Sequence, residues 1–343
     1  MTDKFESEFI SVLQVEIEIK RVKFNKKNKA SYKTLGTEIL KLKSILEIPE
    51  EGSIQLNILN SSKKLRGTLL IGDSTLKPVF SFLDYKINLD INIVPVVAID
   101  YSLSNLSFAN KRHLIHTLKT DEDNDYISVL RHIMKVYGDL TSFMMGFGMG
   151  GKTYPKQHLA SDIFALSGNM FNPVFNKEEL VEKYGEVFSK ISVSTPINYS
   201  PVCEIVADYA RYEKENYEAR NFYSLIYITP GLIDDYEKTL STIKEMIGLP
   251  MCVTVVKLYN DQLNDTNDTL SLAEDLKTSS ELSDLYRYID YQKFKEGKAL
   301  REFEVELIRQ VPLNVQRYFA ANNTFAFDLE ESDYANRMCI RQK

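Results

Sequence analysis

The segment IDYSLSN sets one carboxylate, Asp100, and two hydroxyls, Ser102 and Ser104, at alternate positions. It closes the apolar run IVPVVAID, Ile93 to Asp100, so the three groups stand where a buried strand gives way to a turn. An acid and two hydroxyls aimed at one point are hard oxygen donors, the kind that magnesium takes while keeping several waters. The same residue types are also the commonest helix caps, and the spacing alone does not separate the two roles.

A second stretch, GFGMGGKT from Gly146 to Thr153, fits the phosphate-loop pattern Gly-x-x-x-x-Gly-Lys-Thr. In that role backbone amides would cradle a nucleotide's phosphates, with Lys152 on the outer phosphates and Thr153 on magnesium. The context opposes it. Lysine and threonine must open a helix there, whereas Tyr154-Pro155 follows at once and a proline disfavours helical geometry in the residue before it. No later strand ends in a suitable metal-binding aspartate, because the obvious one ends in Thr229-Pro230. A strand end with a glycine-rich turn is the expectation. His113 and His116 are spaced for one helical face, His132 lies in an amphipathic segment and His158 follows the glycine turn. No serine or cysteine motif accompanies them, so surface or capping roles are expected and no catalytic residue is assigned. Cys203, Cys252 and Cys339 are too few and too far apart for a disulfide framework or a Cys-x-x-Cys metal site.

The elements that must carry these groups have two textures. Up to about residue 88 the pattern alternates with period two: Leu13, Val15, Ile17 and Ile19 on one face, then Ile54, Leu56 and Ile58, with GTLLIG and PVFSFLDY as further strand candidates. Such alternation predicts half-buried antiparallel strands. Beyond it, the continuous apolar runs IVPVVAID, SFMMGF, FYSLIYIT and MCVTVV predict strands buried on both faces, separated by amphipathic helices. One helix carries Ile127, Leu130, Ile133, Met134 and Tyr137 on a stripe, and another Leu180, Tyr184, Val187, Phe188 and Ile191. Asn176 with Glu179 reads as a capping box, Ser200-Pro201 as an N-cap with proline at the first helical position, and Gly248 as the stop of a helix holding Leu240, Ile243 and Ile247. Leu300, Phe303, Leu307 and Val311 form a last stripe, interrupted near Pro312. The fold class is therefore α/β, a doubly wound, mostly parallel sheet preceded by a small antiparallel β domain. In such sheets ligands sit beyond the carboxyl ends of the strands.

Composition narrows the partners. With 343 residues there is room for one large domain and a smaller one. The net charge of -6 argues against nucleic acid, which calls for a basic surplus, and leaves other proteins as the expected partners. No apolar run is long enough to span a bilayer and MTDKFESEF lacks the core of a signal peptide. A cytoplasmic protein is expected, with attachment to a membrane or cytoskeletal structure left open. From Lys20 to Lys33 the run KRVKFNKKNKASYK holds seven basic residues and no acid, and DEDND at Asp121 to Asp125 is nearly all acid. Both read as solvated loops, and the basic one is also suited to an acidic protein tail or an anionic membrane surface.

Taken together and in order, IVPVVAIDYSLSN, MMGFG, FALSGN, PINYSPV, LIYITPGLIDD and LPMCVTVV resemble the von Willebrand factor type A domain of the copines. The resemblance runs from about Phe80 to about Tyr318, and SFLDYKINLDIN resembles the junction through which copines enter that domain from a C2 module. It implies a Rossmann-like fold, a metal-ion-dependent adhesion site at the strand ends, and work as an adaptor holding protein or membrane partners. The expected divisions are residues 1–88 for a partial C2-like domain, 89–323 for the type A domain and 324–343 for a tail ordered by a partner.

Carried over residue by residue, the metal site is incomplete. Asp100, Ser102 and Ser104 match the family's first loop. Where the second loop has a metal-binding threonine this chain has Ile197, before Asn198, and where the third has an aspartate after the threonine, Pro230 follows Thr229. No bound metal or other cofactor is expected, with magnesium at the remnant site as the alternative, and Asp100 is expected to act as a helix cap or to accept from backbone amides. Asp234 and Asp235 are placed in the first turn of the next helix, where acids suit the dipole. The basic residues Lys20, Arg21, Lys23, Lys26, Lys27 and Lys29, together with Asn198 and Thr229, are the candidates for contact with a partner. The front of the chain holds about half the strands of a C2 sandwich and no acidic loop cluster, so calcium-dependent membrane docking is not expected.

Overall fold

The computed structural model describes residues 14–24, 30–41, 52–72, 80–106, 115–116, 124–153, 158–216, 220–258, 268–295, 299–324 and 326. They fall into two compact units, divided between Val79 and Phe80.

The first unit is a four-stranded antiparallel sheet, β1 (Gln14–Phe24), β2 (Ala30–Lys41), β3 (Ser53–Leu59) and β4 (Leu65–Gly72), joined in sequence order. Its alternation is as the pattern predicts. In β3, Ser53, Gln55 and Asn57 are exposed while Ile54, Leu56 and Ile58 are covered. The β3–β4 turn is closed by the Asn60 side chain, whose Oδ1 accepts from the amides of Ser62 and Lys64, at 3.1 and 2.8 Å.

From Phe80, where the described residues resume, PVFSFLDY is not a strand. The second unit opens with helix α1 (Phe82–Asn88), whose capping box joins Asp84 N to Ser81 Oγ and Ser81 N to Asp84 Oδ2, at 3.2 and 2.6 Å. Tyr85 packs instead on the last helix of the unit, stacking on Phe319 with centroids 5.0 Å apart, and its hydroxyl donates to Thr324 O, while Phe80 meets the Tyr85 ring edge-on. The division between the units thus falls ahead of α1 rather than at residue 88.

The remaining elements are β5 (Asn92–Asp100), α2 (Asp125–Gly138), β6 (Phe143–Met149), β7 (Gly151–Lys152), β8 (Phe164–Ala165), β9 (Val174–Asn176), α3 (Leu180–Phe188), β10 (Ser192–Val193), α4 (Ser200–Asn216), β11 (Asn221–Thr229), α5 (Tyr236–Glu245), β12 (Met251–Lys257), α6 (Thr269–Asp275), α7 (Ser280–Leu285), β13 (Tyr286–Asp290), α8 (Ala299–Ile308) and α9 (Gln310–Ala321). The main sheet runs β13-β12-β11-β5-β6-β8, with β9 also beside β6. β5, β6, β11, β12 and β13 are parallel, while β8 and β9 run antiparallel along one edge. Counted in order of appearance, with β8 and β9 sharing one position, this is the doubly wound order 3-2-1-4-5-6. Its topological switch lies between β5 and β11.

Both faces of the central strands are buried, which explains their unbroken apolar runs. On one face Val96, Ala98, Leu225, Tyr227, Val253 and Val255 pack with Val202, Cys203, Val206 and Ala207 of α4 and Ile243 of α5. On the other, α2 buries Val129, Leu130, Ile133 and Tyr137, and the Tyr137 hydroxyl reaches Ser224 Oγ in β11, 2.8 Å away. Each fully buried side chain of this size contributes about 1.5–3 kcal/mol. Glu304 of α8 ties down the outer side of α2, accepting from Lys135 Nζ at 2.6 Å and lying 2.9 Å from His132 Nδ1. Burial raises the Glu304 carboxyl, but these two partners outweigh it and hold the group below the ordinary glutamate range. The expected break near Pro312 falls at Arg309, and Pro312 is taken into the first turn of α9. Among the described residues no helix is long and apolar enough to cross a membrane.

The glycine motif is sheet and turn, not a phosphate loop. After β6, Gly150 turns with φ +74°, and Gly151 and Lys152 pair with Val193 and Ser192 of β10 instead of opening a helix. Gly148 is required by packing: a Cβ there would lie 2.2 Å from the Phe164 ring and 3.0 Å from that of Tyr101. Gly148→Ala is expected to destabilise the protein by about 1–3 kcal/mol. Gly185→Ala, in α3 with open space around it, is expected to stabilise by up to about 1 kcal/mol. Urea unfolding of both variants checks the pair.

Candidate functional site

Three loops meet beyond the carboxyl ends of β5 and β11. Loop one, Asp100–Leu106, makes a short 3-10 turn at Leu103–Asn105, capped by Ser102, whose Oγ accepts from Ser104 N. Loop two, Ser194–Ser200, leads into α4, and loop three, Thr229–Asp235, leads into α5. Loop one is joined to loop two where Leu103 N donates to Ser194 O, at 2.8 Å.

The three first-loop residues converge as their spacing predicts. Asp100 is fully buried, and its Oδ1 accepts from Ser102 N at 2.7 Å and from the Asn105 amide at 3.3 Å. Its Oδ2 accepts from the hydroxyls of Thr229 and Ser104, at 2.8 and 3.2 Å, and the Ser102 and Ser104 hydroxyls are 2.6 Å apart. Burial pushes the carboxyl above the ordinary aspartate range, against the opposing pull of these donors. One backbone amide is thus among its partners, as expected, but side-chain donors outnumber it.

Thr229 joins the fourth strand to the first across the switch. Besides donating to Asp100, its Oγ1 accepts from Tyr199 OH at 2.5 Å and from Gly231 N at 3.0 Å. It is wholly buried, so it offers a partner no surface, contrary to its place among the contact candidates. Ile197 is 2% exposed and fills the space beside Gly150 and Ser102. Asn198 remains partly exposed and donates to Asp162 Oδ1 at 2.8 Å.

Behind Asp100 lies a group the sequence did not reveal. His116 is not a surface or capping residue on a helix: it sits in a turn, fully buried, with its ring 4.1 Å from that of Tyr126 and 5.1 Å from that of Tyr101. Its Nε2 is 2.9 Å from Asp100 O and its Nδ1 2.9 Å from Tyr184 OH. A carbonyl only accepts, so Nε2 carries the proton and Nδ1 accepts from the tyrosine. Tyr126 OH donates to the same carbonyl at 2.9 Å, and Asn124 caps α2 through Oδ1 while its Nδ2 holds His116 O. Burial pushes the imidazole down to about 3, although the Asp100 carbonyl opposes it.

Other expectations fare differently. Asp234 and Asp235 precede α5 instead of lying in its first turn, and their carboxylates turn to loop two: Asp234 Oδ2 accepts from Ile197 N, and Asp235 from Tyr199 N and Ser200 N. Ser200 lies inside α4, and its buried hydroxyl has no partner, so the cap of α4 is Asp235. Asn176 accepts from Glu178 N as a cap, without the reciprocal box with Glu179. Lys20 and Arg21 are exposed in β1, Lys20 pairing with Glu18; the side chain of Lys23, and Lys26, Lys27, Lys29, His113 and Cys339 altogether, lie outside the described residues. Cys203 and Cys252 are buried free thiols, both raised to about 12 by desolvation.

Thr229→Val is expected to cost about 2–4 kcal/mol, because it strips a donor from a buried carboxylate and an acceptor from Tyr199 and Gly231. Thr229→Ser, which keeps the hydroxyl, is expected to cost about 1.5 kcal/mol or less; denaturant unfolding compares the two. His116 gives a pH signature. The unfolded chain takes up its proton near pH 6.5 and the folded chain near 3, so stability is full above 6.5 and lost as pH falls through that window. The slope is expected to reach about 1.4 kcal/mol per pH unit, read from urea midpoints between pH 7 and 5, and to flatten in His116→Phe.

The strand order, the converging first loop and the threonine at the switch can be set beside known proteins. The copine family model matches residues 114–326, well over half the chain. Nicotinic receptor-associated protein 1 of Caenorhabditis briggsae is 25% identical over 277 residues, covering 76% of this chain and 43% of that protein, so the chain spans less than half the relative's length. Among solved structures, the manganese-loaded TRAP protein of Plasmodium vivax gives a TM-score of 0.35 at 12% identity, over 64% of this chain and 74% of that one. The pilus adhesin SpaC of Lactobacillus rhamnosus GG, in its open conformation, gives 0.35 at 11%, over 88% and 34%. At such scores neither structure identifies a relative; the family match does, and by it this chain belongs to the copine family.

Proposed function

We propose that this chain is a non-enzymatic protein-interaction module, a scaffold subunit of a larger assembly, whose metal-ion-dependent adhesion site is degenerate. The observation that carries the reading is the state of Asp100: it is buried, and both of its oxygens are engaged by protein donors. The residues present do not fit a divalent cation. For a cation to use Asp100, the Ser104 and Thr229 hydroxyls would have to turn away from it, and the two positions that complete the family's site supply only the hydrocarbon of Ile197 and the ring of Pro230. Magnesium holds its near-octahedral shell with carboxylates and water, and a single buried carboxylate beside an isoleucine falls short of that set. Among the described residues no cluster of three or more acids, histidines or cysteines is arranged to take a metal elsewhere.

Without the cation, the strand-end face has to hold a protein by shape and hydrogen bonding. The name of the Caenorhabditis briggsae relative speaks of association with a receptor, which supports protein association as the shared role. Titration of the purified chain with manganese, followed by electron paramagnetic resonance of the free ion, tests the reading. No site tighter than about 100 μM is expected, and a tighter one lost in Asp100→Ala would overturn it.

A further inference from the structure

Loops that converge on a shared cation are held to one another by it. If these loops share none, something else must fix them, and the acids that follow Pro230 are in position to do so. Asp234 binds Ile197 in both directions: its Oδ2 accepts from Ile197 N at 2.6 Å, and its own amide donates to Ile197 O at 2.9 Å. Asp235 spans the start of α4, Oδ1 accepting from Tyr199 N and Oδ2 from Ser200 N, each at 2.9 Å. Thr239 Oγ1, one turn into α5, donates to the same Oδ1 at 2.9 Å and fixes the carboxylate from behind.

The chemistry favours these contacts. The first amides of a helix have no partner within it and carry the positive end of its dipole, and α4 is 17 residues long. A carboxylate is the strongest acceptor available to them. Ser200 cannot replace it, since its hydroxyl makes no bond. With Leu103 N on Ser194 O joining loops one and two, and Thr229 on Asp100 joining one and three, each pair of loops is linked by the protein's own groups.

We infer that Asp234 and Asp235 are the positioning residues of the strand-end face: their carboxylates fasten loop two to loop three through backbone amides, so the face stands assembled without metal. This rests on the reading that the cup holds no cation.

Hydrogen exchange by NMR on the full chain in EDTA tests it. The amides of Ile197, Tyr199 and Ser200 are expected to exchange at least about tenfold slower than exposed loop amides, unchanged by added magnesium or manganese. Asp235→Asn is expected to lose about tenfold of that protection at Tyr199 and Ser200, and Asp234→Asn at Ile197. Thr242→Val, which removes a hydroxyl that bonds only the Lys238 carbonyl one turn back in the same helix, is expected to keep it. Unprotected amides in metal-free wild-type protein, protection that appears only with manganese, or protection untouched in Asp235→Asn would each overturn the inference. The wild-type comparison stands even if a variant does not fold. Manganese found bound by titration would sink the reading of the cup; unprotected amides in metal-free protein would sink the clamp even with no manganese bound.

Discussion

The hydrogen bond from Thr229 to Asp100 holds the site together. It crosses the one place in the sheet where the winding reverses, joining the ends of β5 and β11. A buried carboxylate is costly unless it is surrounded by donors, and an isolated one would sooner take up a proton. The surroundings of Asp100 are explained by that cost. Ser102 N, the Asn105 amide and two hydroxyls face its oxygens, while Tyr126, Asn105 and His116 converge on its main-chain carbonyl. Tyr199 and Gly231 in turn orient Thr229 so that its proton points at the acid. Removing any one of these groups leaves a neighbour with an unmet need in a dry interior.

The framework was legible because burial on both faces leaves a plain trace. Four unbroken apolar runs became β5, β6, β11 and β12, and the stripe with Ile127, Leu130 and Ile133 became α2. Failures came where tertiary contact overrode a local signal. In PVFSFLDY the aromatic residues read as a strand, yet Ser81 and Asp84 form a capping box that was present in the sequence, and Tyr85 finds Phe319. Asp234 and Asp235 looked like acids serving the dipole of α5; they serve the start of α4 instead, a choice fixed by a neighbour about 35 residues away in sequence, beyond the reach of local pattern. Nothing in the sequence marks His116 as buried, because what keeps it neutral is a set of rings from three separate segments.

On the proposed reading of the site, the first loop carries an acid and both serines while the second and third present Ile197 and Pro230 in place of donors. The first-loop residues also stabilise the protein on their own. Ser102 caps the 3-10 turn, Ser104 donates to the acid, and Asp100 receives β11. A donor in place of Ile197 or Pro230 would, on the same reading, contribute little beyond a metal contact. At 197 an apolar side chain gains by burial against Gly150 and Ser102.

The proline at 230 follows the same logic. The turn after β11 closes back on its own threonine, and the amide that does so belongs to Gly231, not to residue 230. Proline lacks an amide hydrogen, so it would have been excluded from a position that must donate; here nothing asks it to. Gly231 takes φ +122°, a conformation that side chains rarely adopt, and Pro230, by fixing the preceding angle, offsets part of the entropy that the glycine loses on folding. An aspartate at this position would have set a second carboxylate beside the buried Asp100, and with no cation between them the two charges would repel. If the cup holds no metal, as proposed, a residue without charge is the stable choice there, and proline adds rigidity to the loop from which Asp234 and Asp235 reach across to α4.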